Sequence, residues 1–191
     1  TGNDWDFATN ATPDEIERIL KPWAEAIWDM GREFGTIGAQ KNQASYEITT
    51  YRSDKYDPNS RKPEVNFGDT LSGDLSRRDF TVNSMAVRLD QLQFVDPFQG
   101  LTDLAAGVLR TPADPVQSFS DDPLRMMRGA RFAAQLGFEL EEQTYATMVQ
   151  LRDRLEIVSA ERIRDEFSKL LLTNNPRAGL AILVDTGLAD Q

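Results

Sequence analysis

Residues 4–7 of the chain read Asp4-Trp5-Asp6-Phe7, and this run indicates a β-strand with two different faces. Successive side chains of a strand point to opposite sides, so Asp4 and Asp6 are expected on one face, with Trp5 and Phe7 buried on the other. Two carboxylates that converge on one point can bind a hard divalent cation such as Mg2+. For an Asp-x-Asp pattern taken alone, however, a strand with a solvent-facing polar side is the commoner explanation.

A third carboxylate, Glu47, lies in a second strand-like run at 46–52, which reads Tyr-Glu-Ile-Thr-Thr-Tyr-Arg. Strand alternation places Glu47 and Thr49 on one face and Ile48 on the other. Two strand aspartates with a third acid from a neighbouring strand form the arrangement used in two-metal phosphoryl transfer, where the ions lie about 3.5 to 4 Å apart. An ordinary exposed strand residue is the alternative for Glu47.

Composition narrows the possible chemistry. The 191 residues include no cysteine and no histidine, which excludes disulfides, imidazole bases and thiol nucleophiles. No apolar run approaches the roughly 20 residues needed to cross a bilayer, and no signal peptide is evident, so we expect a cytoplasmic protein without a membrane partner. The net charge of −10 argues mildly against a nucleic-acid partner but does not decide the matter, because acidic metal sites also contribute negative charge.

Local signals predict the first elements. Thr12, Pro13 and Glu15 form a capping box that begins a helix running to about Leu20. A second helix is predicted from Pro22 to Met30. Strands are predicted at 33–40 and 46–53, followed by a polar surface loop at 54–76 with a possible short strand at 64–67.

The second half is predicted to be mainly helical, with a hairpin and short elements before it. A short helix at 79–84, hairpin strands at 85–89 and 93–95, a helix at 100–106 and an extended segment at 108–111 precede a boundary near 112–118. Helices are predicted at 122–136, 141–155, 160–172 and 176–184, with Ser159 as an N-cap and Gly137 and Gly187 as stops. The predicted fold class is therefore α+β, with a mixed or antiparallel sheet in a domain at 1–115 and a helical domain at 116–191.

Two further clusters carry charge. In the run at 77–84, which reads Arg-Arg-Asp-Phe-Thr-Val-Asn-Ser, Asp79 and Asn83 would lie one helical turn apart and could reach one ligand, with the arginines beside them suited to phosphate. A charged helix cap is the alternative. In the run at 121–132, a spacing of three places Asp122, Arg125 and Arg128 on one helix face, where a surface ion pair is the alternative.

Six motifs occur in a fixed order: Asp-Trp-Asp-Phe, Tyr-Glu-Ile-Thr-Thr-Tyr-Arg, Arg-Arg-Asp-Phe-Thr-Val-Asn-Ser, Asp-Pro-Phe-Gln-Gly-Leu-Thr-Asp-Leu, Asp-Asp-Pro-Leu-Arg and Ser-Ala-Glu-Arg-Ile. Together they resemble the class II tRNA nucleotidyltransferase and poly(A) polymerase family, the bacterial CCA-adding enzymes. The resemblance extends from Asp4 to Gly187. It implies a polymerase β-like nucleotidyltransferase head, or palm, followed by a helical neck.

The resemblance implies a template-independent RNA nucleotidyltransferase that adds CCA to tRNA 3′ ends from CTP and ATP. Asp4 and Asp6 would hold two Mg2+ ions, and Glu47 would complete the carboxylate set near the primer 3′-hydroxyl. Residues 54–76 would correspond to a loop that takes part in switching from C to A addition, or to an insert without a role.

The resemblance also implies a nucleotide site. Asp122 and Arg125 would read the incoming base, and Glu161 and Arg162 would brace the base-reading helix. Arg128 would support the Asp122 and Arg125 pair or contact phosphate. The ribose would be recognised by a group of four residues: Arg77, Arg78, Asp79 and Asn83.

Departures from the family pattern leave alternatives open. The glycine-rich strand and Arg-Asp helix start that precede the Asp-x-Asp strand in the family do not precede it here, and Asp121-Asp122 replaces the common Glu-Asp. The chain is therefore expected to be a head-and-neck fragment, which could be inactive alone. The alternatives are a poly(A), A-only or CC-only polymerase, a noncatalytic RNA- or nucleotide-binding fragment, and an enzyme that transfers a nucleotide to a small molecule such as an antibiotic. The oligomeric state stays open.

Overall fold

The computed structural model describes residues 4–55, 64–67 and 70–191, which belong to two compact units. Of the described residues, 4–55, 64–67 and 70–75 form the first unit, which is built on a sheet, and 76–191 form the second, which is mainly helical. The predicted fold class, an α+β chain with a mixed sheet followed by helices, is confirmed. The predicted division into domains at residue 115 is a different partition and stays a prediction.

A four-stranded mixed sheet forms the first unit. Its strands are ordered β1-β4-β3-β2, with β1 parallel to β4 and the other two pairs antiparallel. Among the described strands, β1 and β2 are the two edges of this sheet, and the acidic strand β1 pairs only with β4. The bounds are β1 Asp4–Thr9, β2 Ala26–Trp28, β3 Thr36–Lys41 and β4 Ala44–Thr50.

Helix α1 (Pro13–Leu20) covers one face of this sheet, and its predicted capping box is confirmed. The Glu15 amide donates to the Thr12 hydroxyl over 3.4 Å, and the Thr12 amide donates to the Glu15 carboxylate over 2.8 Å. Ile16 and Leu20 of α1 pack in one buried cluster with Ile37 of β3. This face of the sheet is therefore its core.

The predicted helix from Pro22 to Met30 is wrong, because this segment contains strand β2. The amides of Trp23 and Ala24 both donate to the Leu20 carbonyl, which closes α1. The chain then pairs with β3, with Ile27 opposite Ala39. Apolar residues at 23, 24, 27 and 28 fit a helical period, but pairing with a strand ten residues further on decides the conformation.

The remaining elements of the first unit adjust the predicted bounds. The strand predicted at 33–40 begins only at Thr36, because Arg32–Phe34 form a 3-10 turn. The strand predicted at 46–53 is divided into β4 and β5 (Arg52–Lys55). Strand β6 (Glu64–Phe67) confirms the short strand predicted there, and β5, β6 and helix α2 (Leu71–Ser76) replace much of the predicted loop. Residues 56–63 and 68–69 of that loop, like Thr1 to Asn3, lie outside the described residues.

The second unit begins with small elements. Strands β7 (Ala86–Arg88) and β8 (Gln93–Val95) form the predicted hairpin, and α3 (Gly100–Ala106) matches its predicted bounds. The helix predicted at 79–84 is only a 3-10 turn at Thr81–Asn83, because Phe80 is extended. Strand β9 (Val108–Leu109) pairs in parallel with β10 (Glu139–Leu140), which was not predicted.

Five helices and their buried core complete the second unit. Gly137 ends α5 with a positive φ, as predicted, and a Cβ at Gly179 of α8 would lie 2.8 Å from the Ala130 carbonyl oxygen, so α5 and α8 pack closely there. The helix predicted from 122 is α5, which begins two residues later. The helix predicted at 141–155 is α6, which continues from 152 as a 3-10 helix. Helix α4 was not predicted. Among the described helices, none is long and apolar enough to span a bilayer. The bounds are α4 Pro115–Asp121, α5 Leu124–Leu136, α6 Glu142–Leu151, α7 Ala160–Leu171 and α8 Pro176–Asp185.

Candidate functional site

Three exposed carboxylates lie on the face of the sheet opposite the core. Asp4 and Asp6 are two residues apart on β1, so both point to the same face. In the parallel pair of β1 and β4, Glu47 lies directly opposite Asp6, and its side chain therefore shares that face. The described residues form no hydrogen bond or ion pair with these three carboxylates. The fold thus aligns the acidic groups and leaves them open to a ligand.

The other face of β1 is less buried than the sequence predicts. Phe7 is partly buried and stacks on Tyr46, with ring centroids 6.5 Å apart. Trp5, which was predicted to enter the core, is 54% exposed. Trp5 lies on an edge strand, whereas α1 packs over β3 and β4. The prediction was right about the alternation and wrong about the burial of Trp5.

The carboxylate face has the chemistry that Mg2+ requires. Within the described ranges, no group of three or more Asp, Glu, His or Cys side chains forms a ready-made cage for a metal ion. Mg2+ commonly takes only one or two carboxylates from a protein and completes its octahedral shell with phosphate oxygens and water. Asp4 and Asp6 supply two hard oxygen ligands on one face, so the residues present fit such an ion.

A second cluster is centred on Asp79, which is 8% exposed. One carboxylate oxygen of Asp79 accepts from the Phe80 amide at 2.8 Å and from the Asn83 side chain at 3.0 Å. The other oxygen accepts from Nε of Arg128 at 2.8 Å and from its Nη2. The predicted approach of Asp79 and Asn83 is present, although a 3-10 turn rather than an α-helix creates it.

The charge state of Asp79 follows from these contacts. Burial alone would raise the pKa of the Asp79 carboxyl. The positive charge of Arg128, together with hydrogen bonds from Asn83, Arg128 and the Phe80 amide, outweighs the burial and holds the pKa below its ordinary value. Asp79 is therefore a fixed negative charge at neutral pH, and it orients the side chains of Asn83 and Arg128.

The two arginines before Asp79 are connected to the same cluster. Nη1 of Arg78 donates to the Asn83 carbonyl over 3.3 Å. The Arg77 carbonyl accepts a hydrogen bond from Nη2 of Arg125. The structure therefore links residues 77–83 to the residues after Asp121 that the sequence singled out.

Asp122 and Arg125 do not form the simple surface ion pair that their spacing allows. Asp122 precedes α5, accepts from the Leu124 amide at 3.3 Å, and pairs with Nη2 of Arg162 at 3.0 Å. Arg125 is 8% exposed, and its Nη1 donates to the Ser118 hydroxyl over 2.9 Å and to the Ser118 carbonyl over 3.3 Å. The prediction that Asp122 lies within the helix is wrong, and Arg128 pairs with Asp79 rather than with either of them.

Sequence reasoning missed one residue of the carboxylate face, Trp28. It was assigned to a helix, whereas the structure places it in β2, where it pairs with Gly38 of β3. The available signal was Ala26–Trp28 itself, a short apolar run before a turn.

Comparisons with known proteins agree with this fold. A solved structure described as the Bacillus stearothermophilus CCA-adding enzyme in complex with CTP matches 96% of this chain at 34% identity, with a TM-score of 0.84. A structure of a tRNA nucleotidyltransferase complexed with a primer tRNA and an incoming ATP analog matches 97% of it at 26% identity, with a TM-score of 0.77. The fold of the chain is therefore the nucleotidyltransferase fold of such enzymes.

Sequence comparisons define the family. Residues 1–110 match the family model of the poly A polymerase head domain, and residues 137–191 match a model described as a probable RNA and SrmB-binding site of polymerase A. The CCA-adding enzyme of Enterococcus faecalis is 42% identical over 186 residues, which are 96% of this chain and 44% of that protein. The chain thus spans less than half of that relative's length. It belongs to the class II tRNA nucleotidyltransferase and poly(A) polymerase family, as its motifs indicated.

Proposed function

We propose that the protein containing this chain is a template-independent RNA nucleotidyltransferase that adds C and A to the 3′ ends of tRNA. The observation that carries this proposal is the register of β1 and β4, which gives Asp4, Asp6 and Glu47 one open face. The names of the relatives, which are CCA-adding enzymes, and the tRNA and nucleotide complexes of solved neighbours support the choice of substrates.

In the proposed reaction, the 3′-hydroxyl oxygen of the RNA attacks the α-phosphorus of CTP or ATP, the bond to pyrophosphate breaks, and the hydroxyl proton is released to water. Asp4 and Asp6 would hold Mg2+, which lowers the pKa of the hydroxyl and neutralises the triphosphate. Glu47 lies beside Asp6 and would accept a hydrogen bond from the attacking hydroxyl, thereby orienting it. This division of roles needs no histidine, in agreement with the composition.

Recognition of the nucleotide is proposed for residues of the second unit. Arg77, Arg78, Asp79 and Asn83 would recognise the ribose and the adjoining phosphate. The ionised, hydrogen-bonded Asp79 supports this role because it fixes Asn83 and Arg128 in one arrangement before a ligand arrives.

Base selection is proposed for Asp122 and Arg125. Cytosine and adenine each present an exocyclic amine beside a ring-nitrogen acceptor, so the amine can donate to Asp122 while Arg125 donates to the ring nitrogen. Guanine and uracil present a carbonyl beside a ring N–H, which reverses both contacts. Arg125 is hydrogen-bonded to Ser118, and Asp122 is hydrogen-bonded to Arg162. These contacts support the proposal, because they hold both side chains in position before a base binds.

The division into a nucleotidyltransferase head at 1–115 and a helical neck at 116–191 is part of the same proposal. Residues 56–63 and 68–69 of the loop proposed to switch from C to A addition lie outside the described residues. A poly(A) polymerase of the same class is the second candidate, because the matched family model is described by that activity.

The test is incorporation by the full-length protein. A tRNA that lacks its terminal CCA is incubated with Mg2+ and with CTP, ATP, GTP or UTP singly and in pairs. Addition of CC and then A, with rejection of G and U, supports the proposal. A long A-tract with ATP alone favours the second candidate, and failure to incorporate C or A contradicts both.

A further inference from the structure

A single row of residues crosses the carboxylate face of the sheet. Asp6 of β1 lies opposite Glu47 of β4, Glu47 lies opposite Gly38 of β3, and Gly38 lies opposite Trp28 of β2. Paired residues in neighbouring strands point to the same face. Trp28 therefore shares the face of the proposed metal ligands, two strands away from Glu47.

The glycine in this row allows the indole to reach across β3. A Cβ at Gly38 would overlap Nε1 and Cε2 of the Trp28 indole. The ring consequently covers the position that a side chain of β3 would occupy. Because neighbouring strands are about 4.8 Å apart, the ring extends one strand spacing from β2 toward β4 and ends one spacing from Glu47.

The indole is not part of the core of this unit. The core lies on the opposite face, where Ile37 and Ala39, the neighbours of Gly38, are each 0% exposed. Trp28 is only partly buried, and the other residues on its face include Thr36 and Thr49, whose hydroxyls are hydrogen-bonded at 2.9 Å. A large aromatic ring among polar side chains on an open face is suited to contact with a ligand.

We propose that the Trp28 indole is a stacking surface that holds the terminal nucleoside of the RNA primer with its 3′-hydroxyl toward Glu47. This inference rests on the proposed function. Asp122 and Arg125 are proposed to read the incoming base, but the nucleoside at the primer end has no reader among the residues assigned so far. Its base also changes after each addition, so the site must accept different bases. Stacking on an aromatic ring meets this need, because every base has a π-face.

Steady-state kinetics of the full-length protein with Trp28→Leu test the proposal. Leucine keeps apolar bulk in β2 but removes the ring, so we expect the KM for tRNA lacking CCA to rise about tenfold. The KM for CTP should stay within about twofold of wild type. Trp28→Phe should recover most of the loss. Trp5→Leu is the matched control, since it removes an exposed tryptophan from the other face of the same sheet.

A binding measurement separates this inference from the proposed function. Without any nucleotide, a short RNA with a single-stranded 3′ end should quench part of the tryptophan fluorescence in wild type, and Trp28→Leu should abolish that part. If wild type shows this quenching but adds no nucleotide, the proposed function fails and the stacking surface stands. If wild type adds nucleotides but Trp28→Leu leaves the primer KM unchanged, or raises the KM for CTP instead, the stacking surface is overturned.

Gly38→Ala supplies a second variant should Trp28→Leu fail to fold. The added methyl group displaces the indole while leaving the ring in the protein. We expect a rise of several-fold in the primer KM with no change in the KM for CTP. An unchanged primer KM contradicts the proposal.

Discussion

The two charged regions of the molecule are organised in opposite ways. On the sheet, Asp4, Asp6 and Glu47 are exposed, and the described residues give them neither ion pair nor hydrogen bond. In the helical unit, Asp79 is held by Arg128 and Asn83, and Asp122 is held by Arg162. A site for a cation and its phosphates needs unpaired negative charge, whereas a site that selects a nucleotide benefits from donors and acceptors fixed in advance.

The largest effect is expected in the open region, which is the set of exposed carboxylates Asp4, Asp6 and Glu47. Asp6→Asn should lower kcat for C addition by a factor on the order of 10³, because it removes a charge from the proposed Mg2+ site. The free energy of unfolding should change by less than about 0.5 kcal/mol, since Asp6 has no described partner to lose.

Radiolabelled CTP incorporation and urea unfolding measure the two quantities. Asp90→Asn, in the exposed turn of the β7–β8 hairpin, is the matched control and should change neither. A large loss of stability in Asp6→Asn would show that the carboxylate is structural, and full activity would exclude it as a metal ligand.

The closed region is the cluster of Asp79 and Asp122 with their partners Arg128 and Arg162. Breaking an ion pair there should change the free energy of unfolding and its dependence on pH. In Arg128→Met, burial of Asp79 is no longer opposed by a positive charge, so the pKa of Asp79 should rise above its ordinary value of about 3.9. In wild type the lowered pKa contributes stability above pH 4, which is lost as the pH falls through the folded-state pKa. In the variant the folded state binds the proton more tightly than the unfolded state, so stability falls as the pH rises above about 4.

The stability deficit of Arg128→Met should therefore be small near pH 3 and reach about 2 kcal/mol at pH 7. This is less than the loss of about 3 to 5 kcal/mol for fully buried pairs, because the Arg128 side chain is 34% exposed. Urea unfolding between pH 3 and pH 7 measures this deficit. Adding Asp79→Asn to the Arg128→Met variant should remove the pH dependence of the deficit. A deficit that is equal at pH 3 and pH 7 would contradict the assigned role of Arg128.

The distance along the chain between interacting residues decides what the sequence could predict. Signals that act within a few residues were reliable: the capping box at Thr12, the stop at Gly137 and the hairpin of β7 and β8 all have local causes. The Asp4, Asp6 and Glu47 face followed from strand alternation, and its alignment is present in the register.

Features that depend on distant partners could not be predicted from the sequence. Strand β2 exists because it pairs with β3, and its apolar spacing alone favoured a helix. The exposure of Trp5 depends on which strands α1 covers. The partners of Asp122 and Arg128 come from segments 40 and 49 residues away, so residue spacing within one helix could not identify them.

A smaller effect is expected at the more exposed ion pair of the closed region. Arg162→Ala should raise the KM for CTP by roughly three- to tenfold and weaken the rejection of UTP, because it releases Asp122 from its fixed position. The free energy of unfolding should fall by less than about 1 kcal/mol, as for other solvent-exposed pairs. Incorporation of CTP and UTP into the same tRNA measures the selectivity. The control is Arg164→Ala, because the Arg164 side chain is 70% exposed and, among the described residues, pairs only with its neighbour Asp165. Unchanged selectivity would mean that Asp122 needs no positioning by Arg162.

The smallest effect concerns the helix behind the open region. Thr12→Ala removes the capping box of α1 and should lower the free energy of unfolding by about 1 kcal/mol. Because the strand register, and not α1, aligns Asp6 with Glu47, kcat and the KM for CTP should stay at wild-type values below the melting temperature. Thr12→Ser, which keeps the hydroxyl, is the control and should restore most of the stability. A fall in kcat without any loss of folded protein would mean that α1 positions the carboxylates, and that the open region depends on more than the pairing of β1 with β4.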